Sequence, residues 1–295
     1  KSSAHWQKPL PEGARTSGKR ASLARWLTDV EDGAGYLLAR VIVNRLWLHH
    51  FGRGLVATPN DFGRQSDPPS HPELLDWLAL RLIENGWKLK PMHKLILSSA
   101  TWRQASRFSP EKARKDQENR LLWRFLPRRL DGEVIRDSLL SVSGMLDDTM
   151  YGKGTLDERS KRRSIYFMIK RSKLVPVMQL FDMPEPLVSQ GIRMNTTIAP
   201  QALMFMNSPN VRGYARNLAV QLFRDAGEDL EKTVVAGYET VLGREPHEEE
   251  LLASLDFLKA QEGSYSEAKQ ANPRELALTD FAQALLGLNE FSYLR

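Results

Sequence analysis

The sequence predicts a mainly α-helical, multi-helix globular fold. Three observations predict it: apolar residues recur at helical spacing, helix start and stop signals repeat along the chain, and strand-like alternation is almost absent. At most a small β element is expected, near residues 163–170. With 295 residues the chain is long enough to bury a large core, as one domain or as two lobes. Its 41% hydrophobic and 26% charged residues are the proportions of a folded soluble protein. No apolar run approaches the ~18 residues of a membrane span.

Residues 1–18 hold two prolines and two glycines without periodicity and read as an extended lead-in. Their lack of an apolar stretch gives no signal peptide, and the abrupt start on Lys1 suggests a segment of a longer chain. From Gly35 to Phe51 the residues are apolar nearly all round, the pattern of a buried helix, with Gly52 and Gly54 to stop it. Ser70, His71, Pro72 and Glu73 form a capping-box start for a helix through Leu74, Leu75, Trp77, Leu78, Leu82 and Ile83, ended by Asn85 and Gly86. Pro91 opens a short helix, and Asp131 another that runs to Gly144. Residues 147–163 read as a polar, mobile loop, and Ser164 to Ile169 as the best strand candidate. Further helices are expected from about Pro200, Ser208, Asp229 and His247, and from a second capping box at Asn272 to Glu275. The domain organisation expected is thus a lead-in over 1–18 and a domain over 19–295. That domain is either single or split into helical lobes, 19–146 and 164–295, joined by the polar loop 147–163.

Charge is unevenly placed. Residues 101–175 carry 18 Lys and Arg against 10 Asp and Glu, whereas residues 225–295 carry 6 against 15. A basic stretch either faces an anionic partner or is a solvated surface. No nucleic-acid-binding pattern accompanies it, so nucleic acid is not an expected partner. Cysteine is absent, which excludes disulfides, thiolate metal sites, cysteine nucleophiles and covalent haem attachment. The segment Tyr151 to Thr155 lacks the order of a phosphate loop, and Asp147, Asp148, Asp157 and Glu158 miss the EF-hand spacing. No catalytic motif for hydrolase, dinucleotide or zinc chemistry is present, and no cofactor is expected. Adjacent His49 and His50 project about 100° apart on a helix and cannot chelate one ion together, so no metal site is expected. Trp47, Trp77, Trp87 and Trp102 read as core rather than as sugar-stacking platforms.

One polar constellation stands out. Arg40, Asn44 and Arg45 lie within the apolar helix, and a guanidinium there requires partners, because an unpaired buried charge costs several kcal/mol. Asp61, Glu73 and Asp76 are the near candidates, with Asp131, Glu133 and Asp137 further on. Two readings stay open. In one, an Arg–carboxylate network pins loop 52–69 onto the helix pair. In the other, Arg40, Asp61, Arg64 and His71 form an anion-binding or acid–base pocket.

The same residues carry a family resemblance. Arg40 to Trp47 (RVIVNRLW), Phe51 to Val56 (FGRGLV), Thr58 to Gly63 (TPNDFG) and Pro69 to Ala79 (PSHPELLDWLA) resemble the planctomycete-specific PSD domain family, domain of unknown function 1553. So do Asn119 to Trp123 (NRLLW), Arg129 to Leu140 (RLDGEVIRDSLL), Arg163 to Tyr166 (RSIY) and Thr196 to Leu203 (TTIAPQAL). Asn207 to Pro209, Leu242 to Arg244 and Asn289 to Phe291 continue it, so that it covers residues 20–295. The resemblance implies no activity. It implies an extracytoplasmic setting, within a large exported protein, beside a companion domain and often a cytochrome-c-like one. It also implies that Gln190 and Ala282, where related sequences often carry cysteine, are neighbours with Cα atoms within ~7 Å.

The function expected first is therefore a non-catalytic structural or interaction domain whose partners are other domains of the parent chain. An enzyme or binding module for acidic, sulfated or uronic, polysaccharide is the alternative, with its anion site near Arg40, Asp61, Arg64 and His71. A third reading is docking of a tethered cytochrome domain onto the basic 101–175 region.

Overall fold

The computed structural model describes residues 3–294. Among them run thirteen α-helices, two 3-10 turns and one two-stranded antiparallel sheet, so the chain is mainly α. No described helix is long and apolar enough to cross a membrane. The chain divides into two compact units, one extending to Pro127 and the other spanning Arg128–Leu294.

The first unit holds α1 (Lys19–Thr28), α2 (Gly35–Phe51), α3 (Pro72–Glu84), α4 (Leu89–Leu97) and α5 (Pro110–Lys115). Helix α2 occupies the span its apolar pattern predicts, with only Leu37 and His49 exposed along its length. Gly52 ends it at φ 81°, a left-handed cap that favours glycine, and sends its N–H to Leu48 O at 2.7 Å. Helix α3 lies against α2 and buries Leu75, Leu78, Ala79 and Leu82, one stripe at helical spacing.

The start of α3 differs from the expected capping box. His71 is the cap residue and no side chain caps the helix. Ser70 is drawn instead to the preceding loop, its N–H donating to Leu55 O at 2.8 Å and its hydroxyl pairing with His71 Nδ1 at 3.0 Å. Among the tryptophans, Trp47 is buried and stacks on Phe51, and Trp102 meets Phe51 and Phe125 edge-on. Trp77 departs from the core expectation. It is exposed, with the Arg81 guanidinium over its ring at 5.2 Å.

The second unit opens with β1 (Arg128–Arg129), followed by α6 (Gly132–Val142), α7 (Pro176–Leu180), α8 (Ala199–Asn207) and α9 (Pro209–Ala226). It ends with α10 (Leu230–Leu242), α11 (Glu248–Glu267), α12 (Pro273–Leu286), α13 (Asn289–Ser292) and β2 (Tyr293–Leu294). Helices α9 to α12 form the core. Small buried residues, Ala215 and Ala219 on α9 with Ala277 and Ala282 on α12, line these two packed helices and leave room for a close approach. Where α10 approaches α12, a Cβ on Gly237 would stand 2.9 Å from the Phe281 ring.

The small sheet is not where a strand was expected. Arg128 pairs with Leu294 and Arg129 with Tyr293, bringing the two ends of the unit together. Ser164 to Tyr166 form a 3-10 turn instead, and Phe167 makes only an isolated bridge to Thr155. The second expected capping box is also absent, because Asn272 sits at φ 57° and its amide reaches Glu275 rather than the helix backbone. Of the two positions the resemblance couples, Ala282 is fully buried and Gln190 is exposed.

Candidate functional site

Six of the eight polar residues singled out in the first unit have a local partner. Asn44, with no exposed surface, donates from Nδ2 to Val56 O at 3.1 Å and accepts the Val56 N–H on Oδ1 at 2.9 Å. The loop comes so close that a Cβ on Gly54 would stand 2.8 Å from the Asn44 amide. Arg40 pairs with Asp76 at 2.5 Å, and Arg45 donates to Asn60 Oδ1 at 2.8 Å. Asp61 accepts the Gly63 N–H at 2.8 Å while its own carbonyl takes the Thr58 hydroxyl, a self-contained turn. His71 faces Ser70, and Glu73 and Arg64 are exposed. Of the eight, only Arg40 and Asp76 bond directly to one another among the contacts described. The others tie down the 52–63 loop or face solvent.

Sequence reasoning passed over a denser network in the second unit. Arg129 is buried and donates to Asp182 Oδ2 at 2.6 Å, to Thr196 O at 3.2 Å and to Leu130 O at 2.9 Å. Thr196 returns its N–H and hydroxyl to the Asp182 carboxylate at 2.8 and 2.7 Å. Burial alone raises the Asp182 pKa, but the Thr196 bonds and the Arg129 charge outweigh it and hold the carboxyl below its ordinary range. Arg193 bridges Glu133 at 2.7 Å and the Phe181 and Asp182 carbonyls. Arg136, also buried, donates to the carbonyls of Glu158, Ser160 and Arg162 and to the Ser164 hydroxyl. Asp137 accepts both the N–H and the hydroxyl of Ser164 at 2.7 Å. Much of this network comes from the RLDGEVIRDSLL, RSIY and TTIAPQAL segments quoted above. The partners lie far apart in sequence, so only the unexplained polar residues on α6 signalled it.

Other groupings are smaller. His50 Nε2 lies 2.9 Å from His93 Nδ1, with the Trp102 ring beside them, while His49 turns outward. His5, Asp29 and Asp32 cluster at the surface with ligand atoms within 4.8 Å of one another. Asp29 already accepts the Trp6 indole N–H at 2.8 Å and the Glu31 and Asp32 N–H groups. Those bonds tie the Ser3–Trp6 turn to the end of α1, and we assign no metal there. A cavity of about 370 Å³ opens between α6, α7, α8 and α9, with Arg136, Glu158 and Tyr214 among its lining residues.

The family model described as PSD1, Protein of unknown function (DUF1553), matches residues 19–258. The chain belongs to that family. No curated protein and no solved structure matches it.

The PSD1 domain secures its C-terminal end through another of the quoted motifs. Gly243 closes α10 at φ 71°, and Arg244 then forks between Glu250 at 2.7 and 2.9 Å and Glu290 at 2.8 and 2.9 Å. The Arg244 bond comes first among the causes that bring the Glu250 pKa from 4.5 to about 2, against opposition from burial and with help from the His247 N–H. A carboxyl whose pKa is depressed on folding stabilises above its unfolded value and loses that contribution as pH falls. The PSD1 domain is therefore expected to lose stability between pH 4.5 and about 2 in part through Glu250. Acid titration of Glu250→Gln, followed by circular dichroism, checks it. The variant starts less stable at neutral pH and shows a shallower loss across that window.

Proposed function

We propose that this PSD1 domain is a non-catalytic interaction domain of a larger exported polypeptide, and that residues 148–173 form the face that binds an acidic protein surface. One observation carries this reading. Met150, Tyr151, Ile165, Met168 and Ile169 all expose their side chains, Ile165 by 73% and Tyr151 by 78%. The two stretches that bear them are held together by the Thr155–Phe167 bridge, by the Tyr151 N–H on the Tyr166 hydroxyl at 2.7 Å and by Arg162, which donates to the Thr149 and Tyr151 carbonyls. Around them stand exposed Lys153, Lys161, Arg163, Lys170, Arg171 and Lys173. An apolar centre inside a charged rim is the anatomy of a protein interface, and the cations select an acidic partner.

Arg129, Arg136, Asp137 and Asp182 are meanwhile engaged in holding loops and strand ends. A companion or cytochrome-like domain of the kind the resemblance implies is one source of such an acidic surface. Amine cross-linking of the intact polypeptide tests the proposal. Links from Lys153, Lys161, Lys170 and Lys173 into an acidic segment outside this domain are expected, and their absence overturns it.

The exposed Arg64 also favours acidic glycan as a second reading. A panel of sulfated and uronic glycans, with Arg64→Ala as control, decides it. The interaction reading expects neither turnover nor binding that Arg64→Ala weakens.

A further inference from the structure

The cavity between α6, α7, α8 and α9 has the features of a ligand site, and of its lining residues only Glu158 belongs to the 148–173 stretch of the proposed interaction face. Its walls are largely apolar, built by Ile135 and Leu139 on α6, Val177 and Leu180 on α7, Met204 on α8 and Val211 on α9. Its volume of about 370 Å³ lies at the lower end of small-molecule pockets. A cavity of ~150 Å³ takes a benzene ring, so this one suits a body of about two rings.

Its polar groups define the head of the ligand. Tyr214 is only 8% exposed, yet its hydroxyl has no hydrogen-bond partner among the described residues while its side chain lines the cavity. Only Arg124 Nε and Arg274 Nε are fully enclosed without a partner among the described residues, so the Tyr214 hydroxyl opens to the cavity as a donor free for a ligand oxygen. Glu158 gives one carboxylate oxygen to the Val177 N–H at 2.9 Å, and no described residue donates to the other. Ser208, at the start of α9, lines the same cavity and does not use its hydroxyl to cap the helix.

Charge decides the class. The Arg136 N–H groups are directed at chain carbonyls and the Ser164 hydroxyl, so it contributes a positive charge to the wall, which the Glu158 carboxylate offsets. An anion would meet Glu158 and a cation would meet Arg136. Burial first, and then Glu158, raise the Tyr214 pKa against the opposing pull of Arg136. The phenol therefore stays a neutral donor and is unsuited to shuttling protons near pH 7.

We propose that the cavity binds a small uncharged amphipathic molecule, an apolar body of about two rings carrying one hydroxyl that accepts from Tyr214 and donates to Glu158. The test titrates the full chain with 2-naphthylmethanol, 2-naphthoate and 2-naphthylmethylammonium, using ligand-observed NMR. The neutral alcohol is expected to bind and the two ions to bind at least tenfold more weakly. Tyr214→Phe removes an unpartnered hydroxyl, so it is expected to leave the melting temperature in place. Loss of one hydrogen bond should weaken the alcohol by about 3–10-fold. Met204→Trp, which fills the cavity, is expected to abolish binding. Equal binding of either ion, failure of the alcohol to bind, or indifference of its binding to Tyr214→Phe or to Met204→Trp overturns the proposal.

Discussion

Replacing Arg129 with leucine is expected to destabilise the second unit by about 3–5 kcal/mol, the usual consequence of removing one partner of a buried ion pair. Arg129 and Asp182 are both largely shielded, with side-chain exposures of 4% and 13%. The substitution removes the guanidinium bonds to Asp182, Thr196 and Leu130 together, and leaves a carboxylate with only Thr196 to hold it. Burial, which raises the Asp182 pKa, then acts with less opposition. The folded carboxyl should move up toward its ordinary value, so the variant loses less of its remaining stability on acidification below that value than the parent does. Urea unfolding at neutral pH and at about pH 3, below the ordinary carboxyl value, measures both effects. The double variant Arg129→Leu, Asp182→Leu is expected to recover part of the loss, because no lone charge remains buried. A loss below about 1 kcal/mol for the single variant would show that the pair contributes as little as a surface bridge.

The second large effect is expected in the first unit, at Asn44. Asn44→Leu keeps the branching of the side chain but leaves the Val56 N–H and C=O without the two bonds they now make. Each buried group left unsatisfied costs about 1–3 kcal/mol, so the sum for the two is about 2–6 kcal/mol. The Arg40–Asp76 pair is shorter than either Asn44 bond but more exposed, at 26% and 42% of the two side chains. Arg40→Ala is therefore expected to cost no more than about 1 kcal/mol. Denaturant midpoints rank the two variants, and amide exchange across residues 52–63 should rise in Asn44→Leu alone. The reverse ranking would move the anchor of this loop from the amide to the ion pair.

These contrasts show what was legible before the structure. Helix α2 was readable end to end because it is apolar on nearly every side and a glycine closes it. Helices α1 and α5 were not, since neither has a buried residue to impose a periodic stripe. Ser164 to Ile169 has a strand's composition, but beyond its own turn its backbone bonds go to Thr155, and no local pattern encodes that pairing. The polar cluster on α2 was visible as charge and amide inside an apolar helix, and Asp76 was among the partners anticipated for Arg40. Asp182 was not among those anticipated for any arginine, because the chain between it and Arg129 gives no register. Tyr214 reads as an ordinary core aromatic at helical spacing, and only the unbonded hydroxyl in the cavity sets it apart.

The interaction reading is tested most directly by amide hydrogen exchange across residues 148–173, compared between this chain alone and the intact polypeptide that carries it. Protection is expected to rise in the intact polypeptide around Tyr151 and Ile165 to Ile169, and to fall back when Ile165 and Ile169 are both replaced by aspartate. Identical exchange of that segment in the two contexts would contradict the account.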